Sequence, residues 1–211
     1  MRILIAGATG GTGNRLARQL VDCGHRPIAL VRESSDLSVL PDGCDTRAGD
    51  LADLPEDVAR GVDAIVFAAG SGSGTSSEMT RLIDRDGAIA LIDAAEEARV
   101  GRFVMLSSVG ADASEDAPEG MTVYLAAKRA ADDYLAAAQI DHVIVRPVAL
   151  TDEDGNGTVT LGDTVDRKGE ISRGDVAHVL RCALTMPGAG GRTFEVAAGD
   201  KPVEEAMSAL E

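Results

Sequence analysis

Long apolar runs, clustered cysteines and lysines are all scarce in this chain of 211 residues. No stretch approaches the roughly 18 to 20 consecutive apolar residues that cross a bilayer. The first residues, MRILIAGATGG, lack the long apolar core and the cleavage site of a signal peptide. We therefore expect a cytoplasmic protein that does not bind a membrane.

The three cysteines, Cys23, Cys44 and Cys182, are odd in number and far apart in the sequence. The chain has no CxxC pair and no Cys/His cluster, so the pattern excludes a disulfide framework and a cysteine-based metal site. The sequence predicts reduced thiols and no bound metal.

Basic residues are also few, which leaves a formal net charge of −15. A surface that binds nucleic acid needs basic side chains for the phosphates, so this charge argues against such a partner. Only three lysines stand against 17 arginines, and 22 of the 35 acidic residues are aspartate. Because salt screens repulsion among like charges, the composition predicts a halophilic-type acidic surface. A high-GC genome, which also favours arginine and aspartate, is the alternative.

Short aliphatic runs alternate with longer segments of helical period along the chain. Apolar strands separated by helices are typical of a parallel sheet with helices on both faces. The length suits one domain, so we predict a single-domain α/β protein with a doubly wound sheet. The predicted strands are Arg2–Ala6, Pro27–Val31, Thr46–Ala48, Asp63–Phe67, Arg102–Leu106, His142–Arg146 and Thr193–Ala197, and the predicted helices are Gly11–Cys23, Glu78–Ala98 and Val123–Ala138.

Two polar stretches rich in glycine and aspartate interrupt this alternation, at residues 108–122 and 151–167. We predict loops in both places, with one hairpin strand at Gly157–Leu161 in the second. In sheets of this kind the functional loops cluster at the carboxyl ends of the strands.

The sequence GATGGTG follows the first predicted strand and opens the first predicted helix. Its glycines are spaced three apart, as in turns that bring the backbone against a pyrophosphate at a helix N-terminus. A strand before the motif and an amphipathic helix after it are the context that such a motif requires. A glycine-rich turn without a ligand is the alternative. We predict that this loop binds the phosphates of a dinucleotide through Gly7, Thr9, Gly10, Gly11, Thr12 and Gly13.

The second predicted strand ends in ALVRESSD, about 20 residues after the loop, where a dinucleotide fold selects its ribose. An acidic residue here binds a 2′-hydroxyl, whereas an arginine accommodates a 2′-phosphate. Arg32, helped by Ser34 or Ser35, favours NADP(H). Glu33 would instead favour NAD(H), with Arg32 an ordinary surface residue. We predict NADP(H) and keep NAD(H) as the alternative.

Two further stretches fit a bound dinucleotide. Asp50 and Leu51 follow the third predicted strand, at a place suited to the adenine edge. Ala68, Ala69 and Gly70 end the fourth strand, where larger side chains would block a cofactor. Either stretch alone is also typical of an ordinary turn. Together with the glycine loop they predict cofactor contacts at these five positions.

At this point the sequence resembles the atypical short-chain dehydrogenase/reductases. It is most similar to the compact NAD(P)-binding group known as NAD-dependent epimerase/dehydratases, and also to flavin reductase/biliverdin reductase B and NmrA-like proteins. The resemblance implies a Rossmann-like fold over residues 1–211, with the small substrate side formed mainly by residues 148–211. Its motifs are GATGGTG at 7–13, LVR at 30–32, GDL at 49–51, AAGSG at 68–72, DRDGAIALIDAA at 84–95, RFVMLSSVGA at 102–111, YLAAKRAADDYL at 124–135, VIVRP at 143–147, ISRGDVA at 171–177 and TFEV at 193–196.

The resemblance also implies the site residues. The family's catalytic serine matches Ser108, with Ser107 beside it as the weaker candidate, and its YxxxK motif matches Tyr124 and Lys128. Pro147 stands where the family packs a residue near the nicotinamide. Arg173 and Asp175 match a segment with a structural role, in which Asp175 is expected to cap the following helix.

The chemistry of a carbonyl reduction gives Tyr124 and Lys128 a reason to stand four residues apart. The reaction needs a proton on oxygen, and a neighbouring ammonium stabilises the phenolate of a tyrosine acid–base. Positions i and i+4 share one face of a helix. Ser108 would donate to the substrate oxygen as charge develops there. The alternative is a purely structural helix, but Lys128 is one of only three lysines, and the chain uses arginine elsewhere.

Three functions follow from these residues. The first is an NADP(H)-dependent oxidoreductase that acts on a small carbonyl, quinone or flavin-like acceptor. The second is a sugar-nucleotide epimerase or dehydratase with the same site, and the third is a non-catalytic NADP(H) sensor. We expect a small-molecule substrate and a monomer or a homodimer.

The remaining polar residues predict structural roles. His25, His142 and His178 are dispersed, and none pairs with a cysteine or a carboxylate at a metal-binding spacing. The acidic pair Asp132–Asp133 is predicted to face solvent on its helix.

Salt should stabilise the folded protein if its acidic composition is an adaptation to a salt-rich cytoplasm. We expect the melting midpoint to be higher in molar KCl than in dilute buffer, because salt screens the repulsion among the acidic side chains. Differential scanning calorimetry in both buffers measures this, and equal midpoints would leave the genomic explanation.

Overall fold

Eight of the strands follow from short β-branched or aliphatic segments predicted above. The computed structural model describes residues 1–72, 74–116, 120–187 and 190–210. Within these residues the strands are β1 (Arg2–Ala6), β2 (Arg26–Val31), β3 (Asp45–Ala48), β4 (Ala64–Phe67), β5 (Arg102–Leu106), β6 (His142–Pro147), β7 (Ala149–Thr151), β8 (Thr158–Gly162), β9 (Glu170–Ser172), β10 (Arg192–Ala198) and β11 (Lys201–Pro202).

The main sheet has the order β11-β8-β10-β6-β5-β4-β1-β2-β3. All neighbours from β3 to β10 pair in parallel. β8 runs antiparallel to both of its neighbours, β10 and the edge strand β11. The strands β7 and β9 form a separate parallel pair. This is the predicted Rossmann-like arrangement in one domain, and it is confirmed.

Helices connect the strands and cover the sheet. Two short 3₁₀ turns, Leu37–Val39 and Ala111–Asp116, and a π-helical segment, Arg81–Gly87, accompany them. In the part of the chain that the structure describes, no helix has both the length and the apolar character needed to cross a membrane. The α-helices are α1 (Gly11–Asp22), α2 (Ser77–Thr80), α3 (Ala88–Glu97), α4 (Thr122–Ala137), α5 (Arg173–Thr185) and α6 (Val203–Ser208).

Alternating side chains of the strands feed two hydrophobic layers. In β1, Ile3 and Ile5 point to the face that α1 and α5 cover, whereas Leu4 and Ala6 point to the face under α3 and α4. Because both faces are buried, the strands are apolar along their whole length, which is why they were predictable.

Two of the predicted segments differ in the structure, and a third is confirmed. The predicted helix Glu78–Ala98 is divided by the π-helical segment. The predicted loop at residues 108–122 contains the 3₁₀ turn Ala111–Asp116, and its residues 117–119 lie outside the described residues. In the second predicted loop, the expected strand is confirmed as β8, which pairs with β10 and β11.

The start of α5 corrects one predicted role. The cap is Ser172, whose hydroxyl accepts from the backbone N–H of Asp175 at 2.9 Å. Asp175 is buried in the first turn, where its carboxylate accepts from Ser172 Oγ and from the backbone N–H groups of Asn156 and Gly157. It therefore ties a loop to the helix rather than capping it.

Candidate functional site

The strand order reverses at β1. From there the chain builds β2 and β3 on one side and β4, β5 and β6 on the other. The carboxyl ends of parallel strands leave a crevice at such a reversal, and folds of this class bind ligands there. Here the crevice is a cavity of about 510 Å³. Of the predicted cofactor-binding residues it is lined by Gly7, Thr9, Gly10, Arg32, Asp50, Leu51, Ala68, Ala69 and Gly70.

The turn after β1 needs glycine because it touches its neighbours. Gly7 has a φ of +88°, and a Cβ on it would lie 2.7 Å from the backbone of Ala68 and Ala69. A Cβ on Gly13 would lie 2.2 Å from the carbonyl oxygen of Gly7. No side chain in the described residues caps α1 at Gly10, and its first turn carries no acidic residue. Gly10 lines the cavity, so the uncapped N-terminus of α1 begins at the cavity wall, where helix amides can donate to an anion.

The remaining residues of the predicted loop support this turn from outside the cavity. Thr12 and Gly13 are buried in the first turn of α1. Gly11 packs against Arg173, because a Cβ on Gly11 would lie 2.7 Å from Cδ of that arginine. Arg173 in turn pairs with Asp152 at 3.3 Å.

The turn after β2 presents a basic side chain to the cavity. Arg32 is exposed, and its backbone N–H donates to Ser35 Oγ at 3.0 Å. Both residues line the cavity, whereas Ser34 and Glu33 do not. Among the described residues no carboxylate forms an ion pair with the Arg32 guanidinium, so its charge is available to a ligand.

Seven lining residues had no predicted role, whereas Ser35 lines the cavity and was predicted as a possible helper of Arg32. Four of the seven lie at or near the ends of β1–β4, within two residues of predicted positions, so their sequence neighbourhood signals them. The other three lie around α2, beyond any motif that the sequence displays. The seven are Ala6, Leu30, Gly49, Ser71, Thr75, Met79 and Ile83.

The predicted tyrosine and lysine share one face of α4, beside the cavity. Lys128 is buried, and its Nζ lies 3.1 Å from Oδ1 of Asp84 and 5.7 Å from the ring centroid of Tyr124. Nζ also lies 3.4 Å from the carbonyl oxygen of Ala69, which lines the cavity. Tyr124 itself is half-buried and does not line the cavity.

The two predicted serines have different surroundings. Ser107 is buried, and its hydroxyl donates to Oδ2 of Asp132 at 2.8 Å. Ser108 is half-buried, and its hydroxyl donates only to the carbonyl of Val109, at 3.2 Å, among the contacts that the structure describes. Pro147, at the end of β6, is buried and does not line the cavity.

Asp132 corrects a prediction, because it is buried rather than facing solvent. Its Oδ2 accepts from Ser107 Oγ and lies 3.0 Å from Nε of Arg146. Burial raises the pKa of this carboxyl, and Arg146 and Ser107 act in the opposite direction. Asp133 is exposed as predicted and pairs with Arg129. Ser107 and Asp132 thus belong to a buried structural network.

His178 also differs from its prediction, since it does pair with a carboxylate. Its Nε2 lies 2.7 Å from Oε1 of Glu204, and Cys182 stands one helical turn further on, with the three ligand atoms within 4.8 Å of one another. However, Arg181 donates to the same oxygen at 3.3 Å, and burial raises the pKa of the Cys182 thiol to about 11. A metal would have to displace both the guanidinium and the thiol proton, so we assign none.

Comparison with known proteins identifies the family. Residues 7–187 match the model of the family described as NAD(P)H-binding. The chain belongs to this family. Its residues fit a dinucleotide, because glycine at positions 7 and 13 permits the tight turn beside the cavity, the uncapped helix α1 begins at the cavity wall, and Arg32 lines the cavity.

Two full-length relatives support the assignment. An uncharacterized sugar epimerase of Bacillus subtilis is 37% identical over 215 residues and matches 100% of both chains. A Bacillus halodurans structure, provisionally assigned as an NAD-dependent epimerase/dehydratase, is 37% identical with a TM-score of 0.93 and covers 99% of each chain. The resemblance inferred from the motifs is therefore confirmed.

More distant structures share the fold alone. An anaerobilin reductase of Escherichia coli O157:H7 has a TM-score of 0.79 at 22% identity and covers 95% of this chain and 98% of its own. The protein is thus a member of the NAD(P)H-binding family with epimerase-like full-length relatives.

Gly13→Ala should weaken NADPH binding by more than about tenfold, or about 1.4 kcal/mol, because its Cβ must push the Gly7 carbonyl out of the phosphate turn. Titration by NADPH fluorescence measures this, and the chain has no tryptophan to interfere. Gly101→Ala is the control. Gly101 lies at the amino ends of β4 and β5, opposite to the cavity, and its Cβ would meet only the carbonyl oxygen of Asp63, at 3.2 Å. Equal affinities for both variants would contradict the role of the turn.

Proposed function

We propose that the protein is an NADP(H)-dependent oxidoreductase that transfers a hydride between the nicotinamide and a small carbonyl, quinone or flavin-like acceptor. The observation that carries this proposal is the position of Lys128. Its Nζ lies 3.4 Å from the carbonyl oxygen of Ala69 in the cavity wall and 5.7 Å from the ring centroid of Tyr124. A dinucleotide in the cavity and an acid–base on α4 would therefore meet at one point.

Arg32 supports NADP(H) as the cofactor. Its guanidinium lies at the end of β2, lines the cavity and has no carboxylate partner among the described residues. A guanidinium binds a phosphate through charge-assisted hydrogen bonds. Ser35 also lines the cavity, and its Oγ accepts from the backbone N–H of Arg32. Its hydroxyl is therefore a second donor, beside the guanidinium, for the same phosphate.

When bound, the nicotinamide supplies or accepts the hydride. Tyr124 then gives a proton to the substrate oxygen, or removes it in the reverse direction. Lys128 supplies the positive charge beneath the phenol ring, at 5.7 Å from its centroid. Ser108 orients the substrate oxygen by a hydrogen bond.

The surroundings of the two serines favour Ser108 for this role. The Ser107 hydroxyl is committed to a buried carboxylate, and withdrawing it would leave Asp132 with one donor fewer. The Ser108 hydroxyl has only a long contact to the adjacent carbonyl, so it can turn toward a substrate at small cost.

A sugar-nucleotide epimerase or dehydratase is the second candidate, and the full-length relative named as a sugar epimerase favours it. Such an enzyme would oxidise and re-reduce its substrate within one turnover. Net consumption of NADPH separates the two.

A panel of carbonyls, quinones and flavins, followed at the NADPH absorbance band, tests the proposal directly. We expect NADPH to be consumed with at least one acceptor class. Conversion of a nucleotide sugar without net consumption would favour the epimerase. Tight NADPH binding without any turnover would instead favour a non-catalytic sensor.

Arg32→Ala should weaken the binding of NADPH about tenfold, or about 1.4 kcal/mol, and leave that of NADH within about twofold, since only NADPH carries the 2′-phosphate. Fluorescence titration of both cofactors measures the ratio. Arg26→Ala, an exposed arginine at the opposite end of β2, is the matched control. A tighter NADH complex of the unmodified protein would reverse the assignment.

Tyr124→Phe should lower kcat by about 10² to 10⁴, the usual contribution of a general acid–base, and leave NADPH affinity unchanged. The chain offers one control, because its only other tyrosine lies on the same helix. Tyr134 is exposed, and its hydroxyl donates to Asp93, so Tyr134→Phe should keep full activity. Retained activity in the Tyr124 variant would remove this residue from the mechanism.

A further inference from the structure

A buried carboxylate stands behind Lys128, and the serine, tyrosine and lysine of the proposed site do not account for it. Asp84 has no exposed surface, and its Oδ1 lies 3.1 Å from Nζ of Lys128. The other oxygen, Oδ2, accepts from the backbone N–H of Ser71 at 2.9 Å. A carboxylate is costly to bury unless it is paired and hydrogen-bonded, so these two contacts fix its position.

The π-helical segment Arg81–Gly87 brings this carboxylate inward. A π turn takes up one residue more than an α turn, and such turns are frequent at functional sites. Within the segment Asp84 and Gly87 are buried, whereas Asp86 is exposed. Gly87 packs against Leu51, a residue of the cavity wall. The same irregularity therefore shapes the cavity and aims a negative charge at Lys128.

The surroundings of Lys128 supply little else to keep it charged. Its Nζ lies 3.3 Å from the carbonyl oxygen of Leu106 and 5.5 Å from the ring centroid of Phe67, in addition to its contacts with Ala69 and Tyr124. Carbonyl oxygens and aromatic faces favour the ammonium, but burial favours the neutral amine, and a carboxylate is the group that supplies a full opposite charge.

A second carboxylate faces Lys128 from its own helix, but it is already bound. Asp132 stands one turn further along α4, where Arg146 of β6 and Ser107 of β5 hold its Oδ2. Among the described residues, Asp132 and Glu195 pair with arginines, whereas Asp84 pairs with Lys128. The charge of Lys128 therefore depends mainly on Asp84.

We propose that Asp84 is a positioning residue that keeps Lys128 in its ammonium form and holds Nζ between the ends of β4 and β5. Its catalytic consequence rests on the proposed function, but the charge of Lys128 can be measured without any reaction. Loss of Asp84 lowers the pH at which Lys128 gives up its proton. The neutral amine that results cannot stabilise a phenolate on Tyr124.

Lysine NMR provides the direct test, because the chain has only three lysines and Lys168 and Lys201 are both exposed. Protein labelled with ¹³C at lysine Cε is titrated without cofactor, and Lys168→Arg and Lys201→Arg assign the signals. In Asp84→Asn we expect Lys128 to lose its proton at least about one pH unit lower than in the unmodified protein, a tenfold change in proton affinity. An unchanged Lys128 midpoint overturns the proposal.

Asp86→Asn is the matched control, since Asp86 lies two residues away in the same π-helical segment, is exposed and pairs with Arg85. All three lysine midpoints should stay unchanged in this variant. A shift of the Lys128 midpoint as large as that in Asp84→Asn would mean that disturbance of the segment, rather than the buried charge, is responsible, and would overturn the proposal.

Removal of the carboxylate alone could prevent folding, and a double variant covers that case. Asp84→Asn combined with Lys128→Met leaves no uncompensated buried charge, so it should melt at a higher temperature than Asp84→Asn. A double variant no more stable than Asp84→Asn would mean that Asp84 serves packing alone, and the proposal would fail.

The pH dependence of turnover supplies a readout that a structural role would not move. The ammonium exists only below the Lys128 midpoint, so kcat of Asp84→Asn should fall as the pH rises through the midpoint that NMR measures for this variant, and this fall should come at least about one pH unit lower than in the unmodified protein. If no acceptor is turned over, the proposed function fails while the NMR titration still decides the role of Asp84. If turnover is found and the Lys128 midpoint does not move, only the positioning role fails.

Discussion

The close approach of the turns after β1 and β4 is the constraint on which the rest of the site depends. With φ at +88° and the Ala68 backbone 2.7 Å from where a Cβ would stand, only glycine fits at position 7. Gly10, which precedes α1 and provides no side-chain cap, lines the cavity beside this contact. The same contact brings the carbonyl of Ala69 within reach of Lys128, so one steric requirement couples phosphate binding to the proposed catalytic edge.

Buried charge gives the second level of organisation. This acidic chain exposes most of its carboxylates but buries Asp84, Asp132, Asp175 and Glu195. Asp175 accepts from backbone and hydroxyl donors, whereas the other three lie beside a cation: Asp84 with Lys128, Asp132 with Arg146 and Glu195 with Arg167. Buried pairs of this kind add little net stability, yet loss of one partner is costly, so they define which side chains may face the site. The commitment of Ser107 to Asp132 is one such choice.

Much of the fold was predictable because its signals are local. Apolar runs such as those of β1 and β5 are buried on both faces, and GATGGTG combines a turn, a helix start and a close approach within seven residues. A signal for the burial of Asp84 was also present. Ala88, Leu91 and Ala95 place Asp84 on the apolar face of its helix, at four, seven and eleven residues. The pairing of His178 with Glu204, from separate helices, had no such signal.

The doubly wound sheet, the glycine turn and the shared helix face of Tyr124 and Lys128 were predictable from the sequence, because each follows from spacing within one element. Contacts between elements decided the rest: Lys128 meets Asp84, Asp132 is buried, and the Ser107 hydroxyl binds Asp132, whereas the described contact of the Ser108 hydroxyl is with the adjacent carbonyl. No local pattern predicts which elements pack together, and the π-helical segment that carries Asp84 packs against α4, where Lys128 lies.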